Sequence, residues 1–319
     1  MKLGSRMARG RTFAMVTTVF FIAHLSLAQV DPQWKPNDPD RPQPPVVTPG
    51  TASAQDVPGR PPSDAIVLFD GKDLSQWVGE DGQPAKWKVA DGNMEVAPDS
   101  GDIHTRRPFG HCQLHVEFAE PVPPVGEGQW RGNSGVFLMG LYEIQVLDSY
   151  HNKTYADGQA SAVYGEFPPQ VNASRPPGQW QTYDIVFHGP RFGPDGKVLR
   201  PARVTVLHNE VLVQDNVELS GPTWNHERPP YKPGPDKLPV TLQNHHDSPV
   251  RFRNIWIREL GEGQWRFGWT QLQHNNEASE DDQKAFENMS LSYEALSDYA
   301  DAAKAYDRRV SDRRELLAL

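Results

Sequence analysis

The stretch YEIQVLDSY, from Tyr142 to Tyr150, places Glu143, Gln145 and Asp148 in a segment that otherwise alternates like a strand. In an extended chain Glu143 and Gln145 share one side, and Ile144 and Val146 share the other. The apolar side suits burial between two sheets, which leaves a carboxylate and an amide facing outward or into a groove. Asp148 joins that side only if a bulge intervenes or the strand has ended, and bulges often re-aim a side chain beside an active site. Carboxylates set among amides in this way suit proton transfer and the holding of hydroxyl groups.

Other segments add polar groups. RGNSG brings Arg131 and Asn133 to a strand entrance, and SAVYGEF places Tyr164 after a loop. LQNHHDSPVRFRNIWI carries Gln243, His245, His246 and Arg253 near two strands. His104, His115, His188 and His208 read as structural. The run HHD does not make a metal site, because zinc needs three or four ligands at supportive spacing. Calcium held by Asp and backbone oxygens stays open, with no ligand loop singled out.

The elements that must position these groups are short strands. IVLF (66–69), CQLHVEFA (112–119), SGVFLMG, YEIQVLD, QTYDIVFHG, ARVTVLHNEVLVQD, KLPVTLQ and VRFRNIWIREL are separated by Gly, Pro, Asn and Asp. KWKVADGNMEVA contains Asp91-Gly92 between alternating runs, a hairpin signal. Nothing up to Leu260 has a helical period. Many short strands with turn residues between them predict an all-β sandwich or jelly roll over residues 64–261.

Beyond the sandwich, Ser279 opens a capping-box pattern, and Leu291, Ala295, Ala302 and neighbours fall at helical spacing. This predicts a C-terminal helical extension over 262–319. The Pro-rich runs DPQWKPNDPDRPQPP and DVPGRPP predict a disordered linker over 29–63. Lys2, Arg6, Arg9 and Arg11 precede an uncharged apolar run from Phe13 to Ala23, and Ser26-Leu27-Ala28 offers small-x-small cleavage. That pattern predicts a signal peptide over 1–28, cut after Ala28, and a secreted or periplasmic protein. The apolar run is shorter than the ~20 residues of a membrane span. A net charge of −9 argues against a nucleic-acid partner. The single cysteine, Cys112, excludes an intramolecular disulfide and suits a buried strand position.

The spacing Glu-x-Gln-x-x-Asp at residues 143–148 resembles the Glu-x-Asp-x-x-Glu strand motif of jelly-roll glucanases, with the central acid replaced and the last one shortened. Two-carboxylate hydrolysis needs carboxyl groups about 5–9 Å apart, and this pattern departs from that design. A broader likeness covers about Ile66 to Leu260. LFDGKDLSQW, WKVADGNMEV, GNSGVFL, YEIQVLD, SAVYG and LQNHHDSPVRFRNIWI, in that order, resemble the family of 3-keto-disaccharide hydrolases. Here NHH stands where Asp-His-Gly is more usual, so His245 matches the motif histidine and His246 is extra. Ser161 stands where Thr-Gly is frequent.

The resemblance implies a concanavalin-like or laminin-G-like jelly roll and cleavage of 3-keto-glycosides. A separate sugar 3-dehydrogenase would supply the ketone, which acidifies the C2 hydrogen so that a base can remove it and C1 can expel its substituent. Water addition then gives net hydrolysis. On this reading Glu143 or His245 transfers the proton, and Tyr164 is an acid or a positioning group. Arg253 and Arg131 stabilise enolate charge, unless a divalent cation does so; no cofactor is firmly implied and metal ligands are undetermined. Asn133, Gln145, Asp148, Gln243 and His246 hold the sugar, with Trp130, Trp180 and Trp224 as stacking platforms. Two rival readings are a non-catalytic, lectin-like carbohydrate-binding module of the bacterial envelope and a partner-binding envelope protein.

Overall fold

Alternation in residues 112–119 and 181–188 sets the architecture: every second side chain is apolar, and those side chains meet in one core. A computed structural model describes residues 35–261. The expected signal peptide (1–28) and helical extension (262–319) lie outside the described residues.

Fifteen strands are described: β1 (Ile66–Phe69), β2 (Trp77–Gly79), β3 (Lys88–Ala90), β4 (Asn93–Glu95), β5 (Ile103–Thr105), β6 (Cys112–Ala119), β7 (Ser134–Leu138), β8 (Tyr142–Val146), β9 (Gln181–His188), β10 (Arg191–Phe192), β11 (Val198–Arg200), β12 (Arg203–His208), β13 (Val211–Glu218), β14 (Thr241–Leu242) and β15 (Arg251–Glu259). The large sheet runs β13-β12-β9-β6-β15-β4-β3, with β1 also paired to β15; the small sheet runs β2-β5-β14-β7-β8. Strand pairing throughout is antiparallel. Asp91 and Gly92 both take positive φ in the β3–β4 turn, as a tight hairpin between twisted strands requires.

Leu114, Val116 and Phe118 of β6, Tyr183, Ile185 and Phe187 of β9, and Phe252 of β15 face Val136, Tyr142, Ile144 and Val146 of the small sheet. Full burial of such side chains stabilises by roughly 1.5–3 kcal/mol each. Tyr183 Oη donates to the carbonyl of Gln145 at 2.7 Å and so ties the sheets together behind β8. Cys112 sits in this core as expected, and burial pushes its thiol up to about 12.

The Pro-rich segment differs from the linker read in the sequence. Residues 48–63 fold back on themselves: Thr51 N–H donates to Arg60 O at 2.9 Å, and Ser63 N–H to Thr48 O at 3.0 Å. The resulting strap lies on the outer face of the large sheet. Arg253 donates to Ala54 O and Gln55 O at 2.6 and 3.1 Å, and Ser53 Oγ donates to Glu117. Proline fixes the backbone but leaves its carbonyls and its neighbours' groups free to bond, so low apolar content did not prevent docking.

Candidate active site

Strand β8 is buried along its whole length. Tyr142, Ile144 and Val146 enter the core. Glu143 and Gln145 occupy the opposite face, the outer side of the small sheet, as the alternation predicts. β8 ends its ladder, and residues 161–164 cover its free edge. Gln145 N–H donates to Ala162 O at 3.0 Å, Ser161 N–H to Gln145 O at 2.8 Å, and Tyr164 N–H to Glu143 O at 3.2 Å. That pairing delivers the Tyr164 phenol beside Glu143.

Across the small sheet, Gln243 N–H donates to Gly135 O at 3.0 Å as the chain leaves β14, which brings Gln243 and His245 over the same face. The loop beyond is held by Asp102, which accepts from Asn244 N–H at 2.8 Å, and by Asp247, which accepts from Asn244 Nδ2 at 3.1 Å. The result is a cavity of about 220 Å³ lined by Glu143, Gln145, Asn133, Tyr164, Gln243 and His245, with Gln129, Phe137, Thr223, Trp224 and Asn225 completing the wall.

Its polar groups are only half used. Gln145 Nε2 donates to Gln129 Oε1 at 2.9 Å, and Asn133 Nδ2 donates to Gln129 O at 2.8 Å. The other ends of these amides, Gln145 Oε1 and Asn133 Oδ1, are buried without a partner among the described residues, as are Gln243 Oε1 and His245 Nδ1. A buried polar atom without a partner costs about 1–3 kcal/mol, and four of them belong to residues that line this one cavity. The carboxylate of Glu143, 6 % exposed, likewise accepts no hydrogen bond from the described residues. Burial, helped by Asp102, raises its pKa to about 8. Burial, helped by His246, lowers that of His245 to about 4. At neutral pH the pocket therefore holds a carboxyl group poised to change charge and an uncharged imidazole.

Trp130 and His246, expected to hold the sugar, follow the lining residues Gln129 and His245 in the chain but are not part of the cavity wall. Their rings are 4.3 Å apart, and His246 packs edge-on against His245 at 4.2 Å. Arg131 and Asp148 pair with each other: Arg131 Nε donates to Asp148 Oδ2 at 2.7 Å, and Nη2 donates to Tyr150 O at 3.0 Å. β8 has ended before Asp148, and neither member of the pair lines the cavity. Their task is to hold the loop that carries Gln129, Trp130 and Asn133. Arg131 is thus corrected from enolate stabiliser, and Asp148 from sugar ligand, to loop anchors.

Arg253 is also corrected. On β15 its neighbour Phe252 faces the core, so Arg253 faces away from it, on the large sheet. There it donates to Glu117 Oε2 at 2.7 Å and lies 4.3 Å from the ring centroid of Trp180. Arg253 and Trp180 are on the side of the sandwich opposite Glu143 and cannot touch a ligand in its pocket. Trp224, 64 % exposed, does line the cavity.

Gln129, Thr223, Asn225 and Asp102 escaped the sequence reading. Gln129 sits in the same short run as Trp130 and Arg131, but only the spatial contact with Gln145 reveals its place. Among the described residues no cluster of three or more His, Cys, Asp or Glu side chains is arranged to hold a metal ion, and no helix is long and apolar enough to cross a membrane.

Comparison with known proteins adds to this geometry. The model of the 3-keto-alpha-glucoside-1,2-lyase-like domain matches residues 64–258. A solved protein of Parabacteroides distasonis ATCC 8503, provisionally described as a glycosyl hydrolase, is 45% identical, with 69% of this chain and 93% of that chain covered and a TM-score of 0.66. A second protein of that organism, described in the same terms, is 21% identical over 62% of this chain and 94% of its own, with a TM-score of 0.45. No curated protein matches.

Proposed function

From the premise that the chain belongs to the 3-keto-disaccharide hydrolase family, we propose that it cleaves 3-keto-glycosides in the cavity over β8. A ketone at C3 acidifies the hydrogen on C2. The Glu143 carboxylate removes that proton, and the electron pair moves toward C3 to give an enolate. The enolate then re-forms the carbonyl as C1=C2 is made and the C1–O bond breaks. Tyr164, at the edge of the cavity, gives its phenolic proton to the departing oxygen.

Water completes the reaction. Its hydroxyl adds to C1, its remaining proton restores Tyr164, and Glu143 returns its proton to C2. The sum is 3-keto-glycoside plus water giving 3-keto-sugar plus alcohol; release before water adds gives the unsaturated ketone, the lyase outcome. Neutral His245 suits donation of an N–H to the ketone oxygen, because an uncharged imidazole stabilises the developing negative charge without competing for the proton. The side-chain oxygens of Asn133, Gln145 and Gln243 accept hydrogen bonds from the sugar's hydroxyl groups.

One observation carries this reading: the buried, unpartnered carboxyl of Glu143, with its raised pKa, shares a pocket with His245. A binding module with no chemistry gains nothing from leaving a carboxyl group desolvated and unpaired. The ketone would be made by a separate sugar 3-dehydrogenase, in the periplasm or outside the cell if residues 1–28 direct export. Incubation with a 3-keto-disaccharide and, separately, with its unoxidised parent tests the reading. Only the oxidised sugar should be split; cleavage of both at equal rates, or of neither, would refute it.

A further inference from the structure

The pocket over β8, the inner cavity, adjoins a larger outer chamber. Tyr164, Trp224 and Asn225 form a shared wall, and beyond them opens a chamber of about 560 Å³. This outer chamber is bounded by Tyr155, Asp157, Trp224, His226, Glu227 and Arg228. Its walls are tied together. Gly165 N–H donates to Asp157 O at 2.9 Å, Trp224 and Glu227 pair as an isolated bridge, and the guanidinium of Arg228 reaches Gly165 O at 3.3 and 3.4 Å. Tyr155 Oη and Tyr164 Oη are 2.7 Å apart, which braces the two chambers at their junction.

The lining has the chemistry of a sugar site. Trp224 and Tyr155 are 64 % and 44 % exposed, flat apolar faces held open to solvent, where the C–H face of a pyranose can stack. Beside them Asp157 and Glu227 can accept hydroxyl protons and Arg228 can donate. Two acids against one base disfavour an anionic guest. The inner cavity, below the roughly 300–1,000 Å³ of sites for larger ligands, suits a single ring, whereas the outer chamber falls inside that range.

Given the reading above, in which the keto-sugar occupies the inner cavity, we infer that the outer chamber binds an aglycone of two or more neutral sugar residues. The protein then acts on the oxidised end of an oligosaccharide in preference to a disaccharide. The junction at Tyr164 is where the scissile oxygen would lie, consistent with its assignment as the acid.

The test compares kcat/KM for a methyl 3-keto-glucoside and for a 3-keto-trisaccharide oxidised at its non-reducing end. The trisaccharide should be favoured by about tenfold or more, since remote contacts are used to lower the barrier. In the double variant Glu227→Ala, Arg228→Ala the ratio should fall toward unity, with the thermal transition recorded to verify folding. A ratio near unity in the wild type, or one unchanged in the variant, overturns the aglycone site while leaving 3-keto-glycoside cleavage intact. Should neither substrate be cleaved, the proposed reaction fails, and calorimetry with the unoxidised trisaccharide and methyl glucoside decides the aglycone site. Tighter trisaccharide binding that is lost in the variant supports it; equal or no binding refutes it.

Discussion

The carboxylate of Glu143 lies over the backbone of Gly135: a Cβ on residue 135 would meet Glu143 Oε1 at 2.6 Å and Phe137 Cε2 at 2.8 Å. Residue 135 is in β7, directly opposite Gln145, and its backbone is one that alanine can adopt. Its glycine is needed for space, because the base and the aromatic wall of the pocket occupy the volume above it. Gly135→Ala should therefore displace the carboxylate while keeping the strand. A misplacement of this size costs about 10²-fold in rate. Steady-state kinetics beside a thermal melt would check it, and wild-type turnover in this variant would count against Glu143 as the base.

The pH dependence follows from burial. A carboxyl group raised to about 8 is mostly protonated at lower pH, and only the ionised form can take the C2 proton. kcat/KM should rise with pH until about 8 and then level. Glu143→Gln should remove that limb and lower the rate by roughly 10²–10⁴-fold. A wild-type profile flat from weakly acidic to alkaline pH would assign the proton transfer elsewhere.

Arg253 should matter for stability and not for rate. Its loss leaves Glu117, fully buried, without its guanidinium and unties the 48–63 strap; breaking a buried ion pair costs about 3–5 kcal/mol. Burial alone would raise Glu117, but hydrogen bonds from His115, Ser53, Asn254 and Arg253 outweigh it and hold the carboxyl at about 2, against 4.5 unperturbed. A depressed pKa contributes stability that is present above 4.5 and lost as pH falls through 2. Arg253→Ala and Glu117→Gln should both lower the melting temperature at neutral pH, and the deficit of Glu117→Gln should shrink under acid. With substrate at a temperature well below the transition, Arg253→Ala should turn over normally. Loss of turnover with a normal melt would return Arg253 to the active site.

The contrast between His245 and Arg253 shows what was legible in the sequence. Both lie in LQNHHDSPVRFRNIWI, and their closeness in the chain suggested one cluster. Between them the chain leaves the small sheet after β14 and enters the large sheet at β15, so the two side chains end on opposite outer faces. Alternation settles which side of its own strand a residue takes, as it did for Glu143 and Gln145. It is silent on which sheet the strand joins. The Glu143–Tyr164–His245 grouping came through because family motifs kept their order; Gln129 did not, because its contacts with Gln145 and Asn133 depend on a loop folding over a strand. The Pro-rich strap was misread for a related reason: its bonds are to a distant surface and leave no period in the sequence.

Asp148 offers a test of positioning against chemistry. Asp148→Asn breaks its pairing with Arg131 and loosens the loop that supplies Gln129 and Asn133, with a cost of about 3–5 kcal/mol if the arginine is left buried. Weaker anchoring of the sugar should raise KM more than it lowers kcat. A fall in kcat at constant KM would instead make Asp148 a participant in the reaction.

The proton transfer itself can be watched without bond cleavage. The 3-keto derivative of 1,5-anhydroglucitol has the acidified C2 hydrogen but no exocyclic leaving group on C1, so in D2O a base in the pocket should exchange that hydrogen without releasing an alcohol. Nuclear magnetic resonance should show loss of the C2 proton signal with the wild-type protein and only the uncatalysed rate with Glu143→Gln. Exchange that proceeds equally with both proteins, or that the wild type fails to accelerate, would contradict Glu143 as the base.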